Sequence, residues 1–301
     1  MNKPILVVAV GGNALLQRGE IMSCDNQKKS IGATSEAIAK LHEKYRIVVV
    51  HGNGPQVGLL ALQNLAYKDC PPYPFDVLGS ETQGMVGYLM QQSLKNKLPG
   101  KNITTVLTQV AVDEKDPAIA DPSKFIGPVY DKDTAVALAE ENRWVIKPDG
   151  DKWRRVVPSP APKRVIESEA IKCLLAQDHI VICGGGGGAP VIENGTQLSG
   201  FEAVIDKDMT ASLIAKEIGA SDLLILTDGS HACVDWGLPT ERKLEAVTVK
   251  EMKQYKFAAG SMAPKVDACC NFAESGGTGH IGDLYQALNV MNRDTGTHIS
   301  K

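Results

Sequence analysis

The sequence has no apolar run long enough to cross a bilayer. Its apolar start, residues 5–10, falls far short of the ~20 residues a spanning helix needs and is not followed by a small-residue cleavage site. Neither charge sign is in excess, since 32 basic and 35 acidic residues leave a formal net charge of −3. Nucleic acid and anionic membranes are therefore not favoured as partners, and any polyanion would have to be held by a few local cations. The seven cysteines include no C-x-x-C pair, and several lie in apolar periodic stretches, which reads as buried, reduced thiols in a soluble, cytoplasmic protein. The six histidines show no H-x-x-x-H or H-E-x-x-H spacing, so no zinc or other protein-held metal site is predicted. Two nucleotide fingerprints are missing as well. There is no G-x-x-x-x-G-K-[ST], which excludes a P-loop enzyme. Gly52-Asn53-Gly54 opens like a dinucleotide motif but is broken by Pro55 and Gln56, which disfavours a Rossmann dehydrogenase.

What the chain does contain is glycine placed after apolar runs. Residues 5–10, 47–50 and 180–183 each empty into such a loop: Gly11-Gly12-Asn13, His51-Gly52-Asn53-Gly54-Pro55, and five consecutive glycines at 184–188. A buried parallel strand that hands a side-chain-free loop to a helix start leaves backbone N–H groups available to an anion. Each cluster alone also fits a tight strand-to-helix turn. Three together point to a site built around phosphate. Five glycines in a row cost backbone entropy on ordering unless something must approach the main chain closely.

With 43% hydrophobic residues in 301, the chain can bury a substantial core. Ile31, Thr34, Ile38, Leu41 and Tyr45 recur at helical spacing before the strand at Ile47, a β-α-β unit that requires a parallel pair and a right-handed crossover. Val57, Leu60, Ala61 and Leu65 form a second helical stripe, residues 83–94 a third, and 104–112 reads as one buried strand. Further helices are predicted over 166–176, after Asp206, through Met262, Val266, Cys269 and Ala273, and through Leu284, Leu288 and Met291. Strands are predicted at 180, over 223–227 and near 280–282. This alternation predicts an α/β fold in a single domain, with a doubly wound, mainly parallel sheet covered by helices on both faces. Residues 116–160, broken by Pro117, Pro122, Pro128, Pro148, Pro158 and Pro160, are predicted to leave the sheet as a small excursion. It reads either as a functional insertion or as a solvent-exposed decoration.

Two lysines, Lys207 and Lys265, are candidates for the chemistry. In Val204-Ile205-Asp206-Lys207-Asp208 a cation sits between two carboxylates at a helix start. Asp there serves as a cap; the sharper reading aims Lys207 at a transferring phosphoryl group, with Asp206 orienting neighbouring lysines. In Gly260-Ser261-Met262-Ala263-Pro264-Lys265 a turn feeds a helix with Lys265 in its first turn, against the dipole, where it wants an anion. Lys124, in Ser123-Lys124-Phe125-Ile126-Gly127-Pro128, reads on its own as a surface lysine. No nucleophile-and-base pair is evident. His51 is open between ligand contact and a satisfied loop histidine, and His231, after Thr227-Asp228-Gly229-Ser230, between nucleoside contact and a surface turn.

Taken in order from residue 5 to about 299, these blocks closely resemble the carbamate kinase family. Besides those quoted, they include Gln56-Val57-Gly58, Thr82-Gln83-Gly84, Val106-Leu107-Thr108-Gln109, Arg154-Arg155-Val156-Val157-Pro158-Ser159-Pro160 and Leu226-Thr227-Asp228. The resemblance implies the amino-acid-kinase fold: a three-layer α/β/α sandwich around a mainly parallel eight-stranded sheet, a protruding subdomain near 116–160, and a homodimer. It implies the reversible reaction of ATP and carbamate to ADP and carbamoyl phosphate with Mg²⁺, run toward ATP in many fermenting organisms. Carried over by position, Gly11, Gly12, Asn13, Gly52, Asn53 and Gly54 would hold the phosphoryl and carbamoyl groups. Lys124 would reach in from the excursion, and Lys207 and Lys265 would contact nucleotide phosphates, with Asp206 holding those two lysines. Gly185, Gly186, Gly187, Asp208, Thr227, Asp228 and Met262 would lie along the nucleotide. The sequence departs from the family pattern in one additional glycine in the run, in Ala189 where a branched residue is usual, and in Ser230-His231 where a second acid often stands. Kinases of the same fold that act on acetylglutamate, glutamate or aspartate place a lysine before the first loop, where this chain has Ala9 and Val10. A catalytically silent nucleotide or metabolite sensor is the alternative of a different class.

Overall fold

The structure, a computed structural model, describes residues 3–17, 19–258 and 261–301, and of Asn13 the backbone alone. Its central sheet has eight strands in the order Ala246–Thr248, Thr297–Ser300, Thr278–Asp283, Asp222–Thr227, Ile5–Val10, Arg46–His51, Ile180–Ile182, Ile103–Thr105. Neighbours run parallel except where Thr278–Asp283 meets Thr297–Ser300. The central strands are continuous Val, Ile and Leu because both faces are covered. Leu6, Val8 and Val10 pack with Ile31, Ile38, Leu41, Val86 and Met90 of the helices Cys24–Leu41 and Phe75–Lys97. Val7 and Ala9 point the other way, into a layer with Leu175, Ile214, Ala215 and Cys269 from the helices Ser168–Ala176, Lys207–Glu217 and Ala263–Glu274. The period-two alternation of a strand thus feeds two apolar layers, which makes the α/β/α sandwich. No helix among the described residues is long and apolar enough to cross a membrane.

Because the central strands are parallel, the loops that follow Val10, His51, Ile182 and Thr227 all emerge at one edge of the sheet. From Ile5–Val10 the chain moves to Arg46–His51 on one side and later returns with Asp222–Thr227 on the other. Such a reversal opens a crevice at the carboxyl ends of the strands.

Several local expectations are corrected. Residues 104–112 are not one strand: Ile103–Thr105 ends the central sheet, and Gln109–Ala111 joins a second sheet with Ala189–Asn194, Gln197–Gly200 and Arg164–Val165. The chain turns at Thr108, whose hydroxyl donates to Val106 O at 2.8 Å. Only the second glycine loop leads straight into a long helix, Gly54–Ala66. The first passes through a 3₁₀ turn, Gly12–Ala14, well before the helix Cys24–Leu41, and the third passes through Gly185–Gly187 into the strand Ala189–Asn194. The last predicted helix is short, a 3₁₀ turn Leu284–Gln286 followed by Ala287–Asn292.

Between residues 116 and 160 a separate antiparallel sheet forms, in the order Lys124–Tyr130, Lys152–Val157, Val145–Asp149. A helix, Lys132–Asn142, begins where Asp131 accepts a bond from Thr134 N at 2.9 Å. The hairpin between the last two strands turns at Gly150, whose φ of 66° suits glycine.

Candidate active site

The helix Lys207–Glu217 starts at the carboxyl edge of the sheet, and Asp206 caps it. One carboxylate oxygen of Asp206 accepts from Asp208 N at 2.9 Å and from Met209 N at 3.3 Å, which satisfies two donors the helix leaves open. The other accepts from Lys124 Nζ at 2.5 Å. Asp208, two residues on, takes Lys207 Nζ on one oxygen and Lys265 Nζ, at 3.1 Å, on the other. Three ammonium groups from three separate elements therefore meet two neighbouring carboxylates. Exposure grades across the cluster, from 4% for the Asp208 side chain through 11% for Lys207 and 16% for Lys265 to 34% for Lys124. The Asp208 pairings are buried, and Lys124 borders solvent.

The expected pairing is corrected here. Asp206 does not bond both Lys207 and Lys265; it bonds Lys124, and Asp208 bonds the other two. Burial pushes the Asp206 carboxyl up, but Lys124, Lys207 and the Asp208 N–H outweigh it and hold the group well below the usual carboxylate range. Burial pushes the Lys207 ammonium down, and the charge of Lys265 adds to this, while Asp208 and Asp206 oppose it. Three ammonium groups thus face two carboxylates, a formal excess of one cation.

The glycine loops form the wall beside these lysines. A Cβ on Gly52 would lie 3.3 Å from Lys207 Cδ and 3.7 Å from Gly12 N, so the absence of side chains lets the lysine stem, the second loop and the first loop meet. Gly11 sits against the end of the neighbouring strand, its Cβ position 3.8 Å from Leu226 O. Asn53 immediately precedes the helix Gly54–Ala66, and its Nδ2 donates to Thr82 Oγ1 at 2.7 Å. The side chain of Asn13 and the whole of Gly260 lie outside the described residues.

Something does approach the five glycines closely, and it is the protein itself. A Cβ on Gly185 would fall 2.4 Å from His51 Nε2, one on Gly186 2.1 Å from Asn53 Nδ2, and one on Gly187 2.3 Å from Ile205 O. Gly184, Gly186, Gly187 and Gly188 all have positive φ, which removes any doubt about why no side chain is present. The run is buried, and Gly187 O accepts from Thr210 Oγ1 at 2.8 Å on the lysine-bearing helix. It acts as a hub that joins the Asn53 loop to that helix.

His51 is fully buried. Its Nδ1 donates to Gly52 O at 2.8 Å, and burial, with Lys207 adding, pushes its pKa down to about 4. The imidazole braces the loop, and a pKa this low leaves it a weak base. His231 is buried too, with Nε2 accepting from Gly296 N at 3.2 Å, so it ties a hairpin to the C-terminal segment. Thr227 and Asp228 lie at the end of Asp222–Thr227, next to the first glycine loop, and Thr227 Oγ1 donates to Asp228 Oδ1 at 3.1 Å. Met262 occupies the cap position of the helix Ala263–Glu274 and packs against its apolar layer, which sets Lys265 in the first turn.

The supporting polar residues Gln83, Thr108 and Thr210 carried no assigned role in the sequence. Gln83 spans the Thr108 backbone, donating to Thr108 O at 3.0 Å and accepting from Thr108 N at 2.8 Å, while Thr108 Oγ1 accepts from Gly184 N at 2.9 Å. Their signal was present: polar side chains inside otherwise apolar, buried stretches need partners.

This arrangement, glycine loops and inward lysines at the carboxyl edge of a parallel sheet, is that of a phosphoryl-transfer enzyme. The chain matches the amino acid kinase family over residues 4–283, and it belongs to that family. Relatives that match it over nearly their full length include carbamate kinases. The Haemophilus influenzae carbamate kinase is 48% identical over 98% of this chain and 96% of its own length, and that of Pyrococcus horikoshii 43% over 98% of both. The structure of Giardia lamblia carbamate kinase bound to AMP-PNP superposes with a TM-score of 0.91 at 39% identity, covering 99% of each chain.

Proposed function

We propose that this protein transfers a phosphoryl group between ATP and carbamate, giving ADP and carbamoyl phosphate. The observation that carries the reading is the meeting of Lys124, Lys207 and Lys265 on Asp206 and Asp208, beside loops without side chains. Carbamate is an anion at neutral pH. Its oxygen attacks the γ-phosphorus directly, the new P–O bond forms as the bond to the bridging oxygen of ADP breaks, and no proton has to be removed from the nucleophile. That fits a site whose adjoining imidazole, His51, is only weakly basic and is engaged in bracing the loop.

The reaction needs in-line placement and neutralisation of charge spreading over the equatorial phosphoryl oxygens. In this reading Gly11, Gly12, Asn13, Gly52, Asn53 and Gly54 hold the carbamoyl and phosphoryl groups through main-chain N–H donors. Lys207 and Lys265 exchange an Asp208 oxygen for phosphate oxygens, and Lys124 comes in from the subdomain toward the transferring group. Gly185, Gly186 and Gly187 support the nucleotide side from beneath, and Asp208, Thr227, Asp228 and Met262 border it. Mg²⁺ would arrive with the nucleotide as part of the substrate and would help neutralise the phosphate charge. We take the assembly to be a homodimer; in support, Tyr88 is largely exposed and the sheet ends at Ile103–Thr105, with both bordering a groove of about 490 Å³.

The test is to mix purified protein, Mg·ADP and carbamoyl phosphate and measure ATP. Formation of ATP at a rate set by enzyme concentration supports the reading. Binding of ATP without any turnover in either direction would replace it with a nucleotide sensor.

A further inference from the structure

The pair Arg154-Arg155 has no task in the reaction as derived so far, yet Arg155 occupies a particular place between the two parts of the chain. Its guanidinium carbon lies 4.7 Å from the ring centre of Phe75 and 4.7 Å from that of Trp144. Phe75 is buried at the first position of the body helix Phe75–Lys97, whereas Trp144 directly precedes the strand Val145–Asp149 of the subdomain sheet. One planar cation thus fills the gap between a ring of the body and a ring of the subdomain. Burial pushes the guanidinium down to about 10, with Glu202 opposing, so it stays charged at neutral pH.

The strand that carries Arg155 is also the partner of the strand that delivers Lys124. Arg155 stands opposite Ile126, and Val157 opposite Lys124. Near this register the subdomain meets the body in two more ways. Ile126 and Val157 share a small apolar cluster with Val57, Phe75, Leu78 and Val204. Gly58 lets the backbone of Gly127 lie directly on the helix Gly54–Ala66; a Cβ there would fall 2.4 Å from Gly127 Cα. Outside the stack, Phe75, Trp144 and Arg155 line a cleft of about 490 Å³, so the guanidinium has room to leave its rings without disturbing the apolar cluster.

We propose that Arg155 is a positioning residue for phosphoryl transfer: stacked between Phe75 and Trp144, it latches the subdomain to the body and so holds Lys124 at Asp206. This rests on the reading of Lys124 as a contact to the transferring phosphoryl group. A lysine at 155 would keep the charge but not the flat face that two rings grip.

The experiment measures kcat and KM for ADP in the ATP-forming direction for Arg155→Met, Arg155→Lys, Trp144→Phe, Trp144→Ala, Lys124→Ala and the double variant Lys124→Ala/Arg155→Met. The expected result for Arg155→Met, Arg155→Lys and Trp144→Ala is a roughly 10-fold lower kcat with KM changed about 2-fold or less, and for Trp144→Phe near-complete retention. In the Lys124→Ala background, Arg155→Met should cost less than about 2-fold further, because the lysine it positions is already gone. An equal loss in both backgrounds makes Arg155 a general stabiliser and overturns the latch, as does an unchanged kcat in Arg155→Met. Should Arg155→Met fail to fold, Trp144→Ala combined with Lys124→Ala gives the same comparison. A wild-type rate in Lys124→Ala removes the assignment of Lys124 itself, and the latch with it; an impaired Lys124→Ala with additive losses removes the latch alone.

Discussion

Asp208 holds two ammonium groups with one carboxylate, and Asp206 holds a third while capping a helix. The two roles of Asp206 should therefore be separable by substitution. Asp206→Asn keeps a side-chain oxygen for the cap, so its thermal midpoint should stay near wild type while turnover falls through Lys124. Asp206→Ala should lose a further ~1 kcal/mol of stability for the missing cap, read by urea unfolding. Lys207→Ala and Lys265→Ala should each lose roughly two to three orders of magnitude in kcat with the fold intact by circular dichroism; near-normal turnover in both contradicts the mechanism. Lys124→Ala should slow transfer more than it weakens nucleotide binding, and a pure affinity defect argues against its place. The residue types at this site were legible in the sequence, but their pairing was not. A lysine flanked by two acids is symmetric on paper, and the partners that break the symmetry, Lys124 and Lys265, lie 82 and 57 residues away from the acids they bind.

Among the elements, the central parallel strands were legible because burial on both faces leaves only apolar residues to choose from. The strand Thr297–Ser300 was not, since its buried His298 looks like surface until its Nδ1 meets Nδ1 of His280 at 2.9 Å. The glycine run was legible as a close-approach site but not as one where the visitor is the protein's own Asn53 and Ile205. That difference gives a measurable contrast between two glycines with similar φ. Gly150, at φ +66° with nothing within 4 Å of its Cβ position, should cost ~1 to 2 kcal/mol when changed to Ala, the backbone term alone. Gly186, at φ +65° with the Asn53 amide 2.1 Å away, should cost more than about twice that and take activity with it through the displaced loop. Equal denaturation midpoints for the two variants would show that the hub is loose.

At the scale of the whole molecule, four buried histidines held below the usual imidazole range, His42, His51, His231 and His298, link the fold to pH, with His51 and His298 shifted furthest. Burial pushes both His51 and His298 down from 6.5 to about 4, with Lys207 adding at His51 and His280 at His298. Between those values the unfolded chain binds more protons than the folded one. The stability they contribute is therefore complete above about pH 6.5 and is lost as the pH falls toward 4. Urea unfolding at pH 7.5 and 4.5 should differ by roughly 2 to 3 kcal/mol for His51, with a smaller share from His298; a flat profile over that window contradicts their burial as neutral groups. What unites residue, element and molecule is that one pocket at the carboxyl edge of the sheet collects three cations from three parts of the chain. The most direct measurement is a crystal structure with Mg·ADP, carbamate and a planar fluoride mimic of the phosphoryl group in flight. All three lysine Nζ atoms should lie within hydrogen-bond reach of the mimic or the phosphates; Lys124, Lys207 or Lys265 pointing away from it would contradict the account.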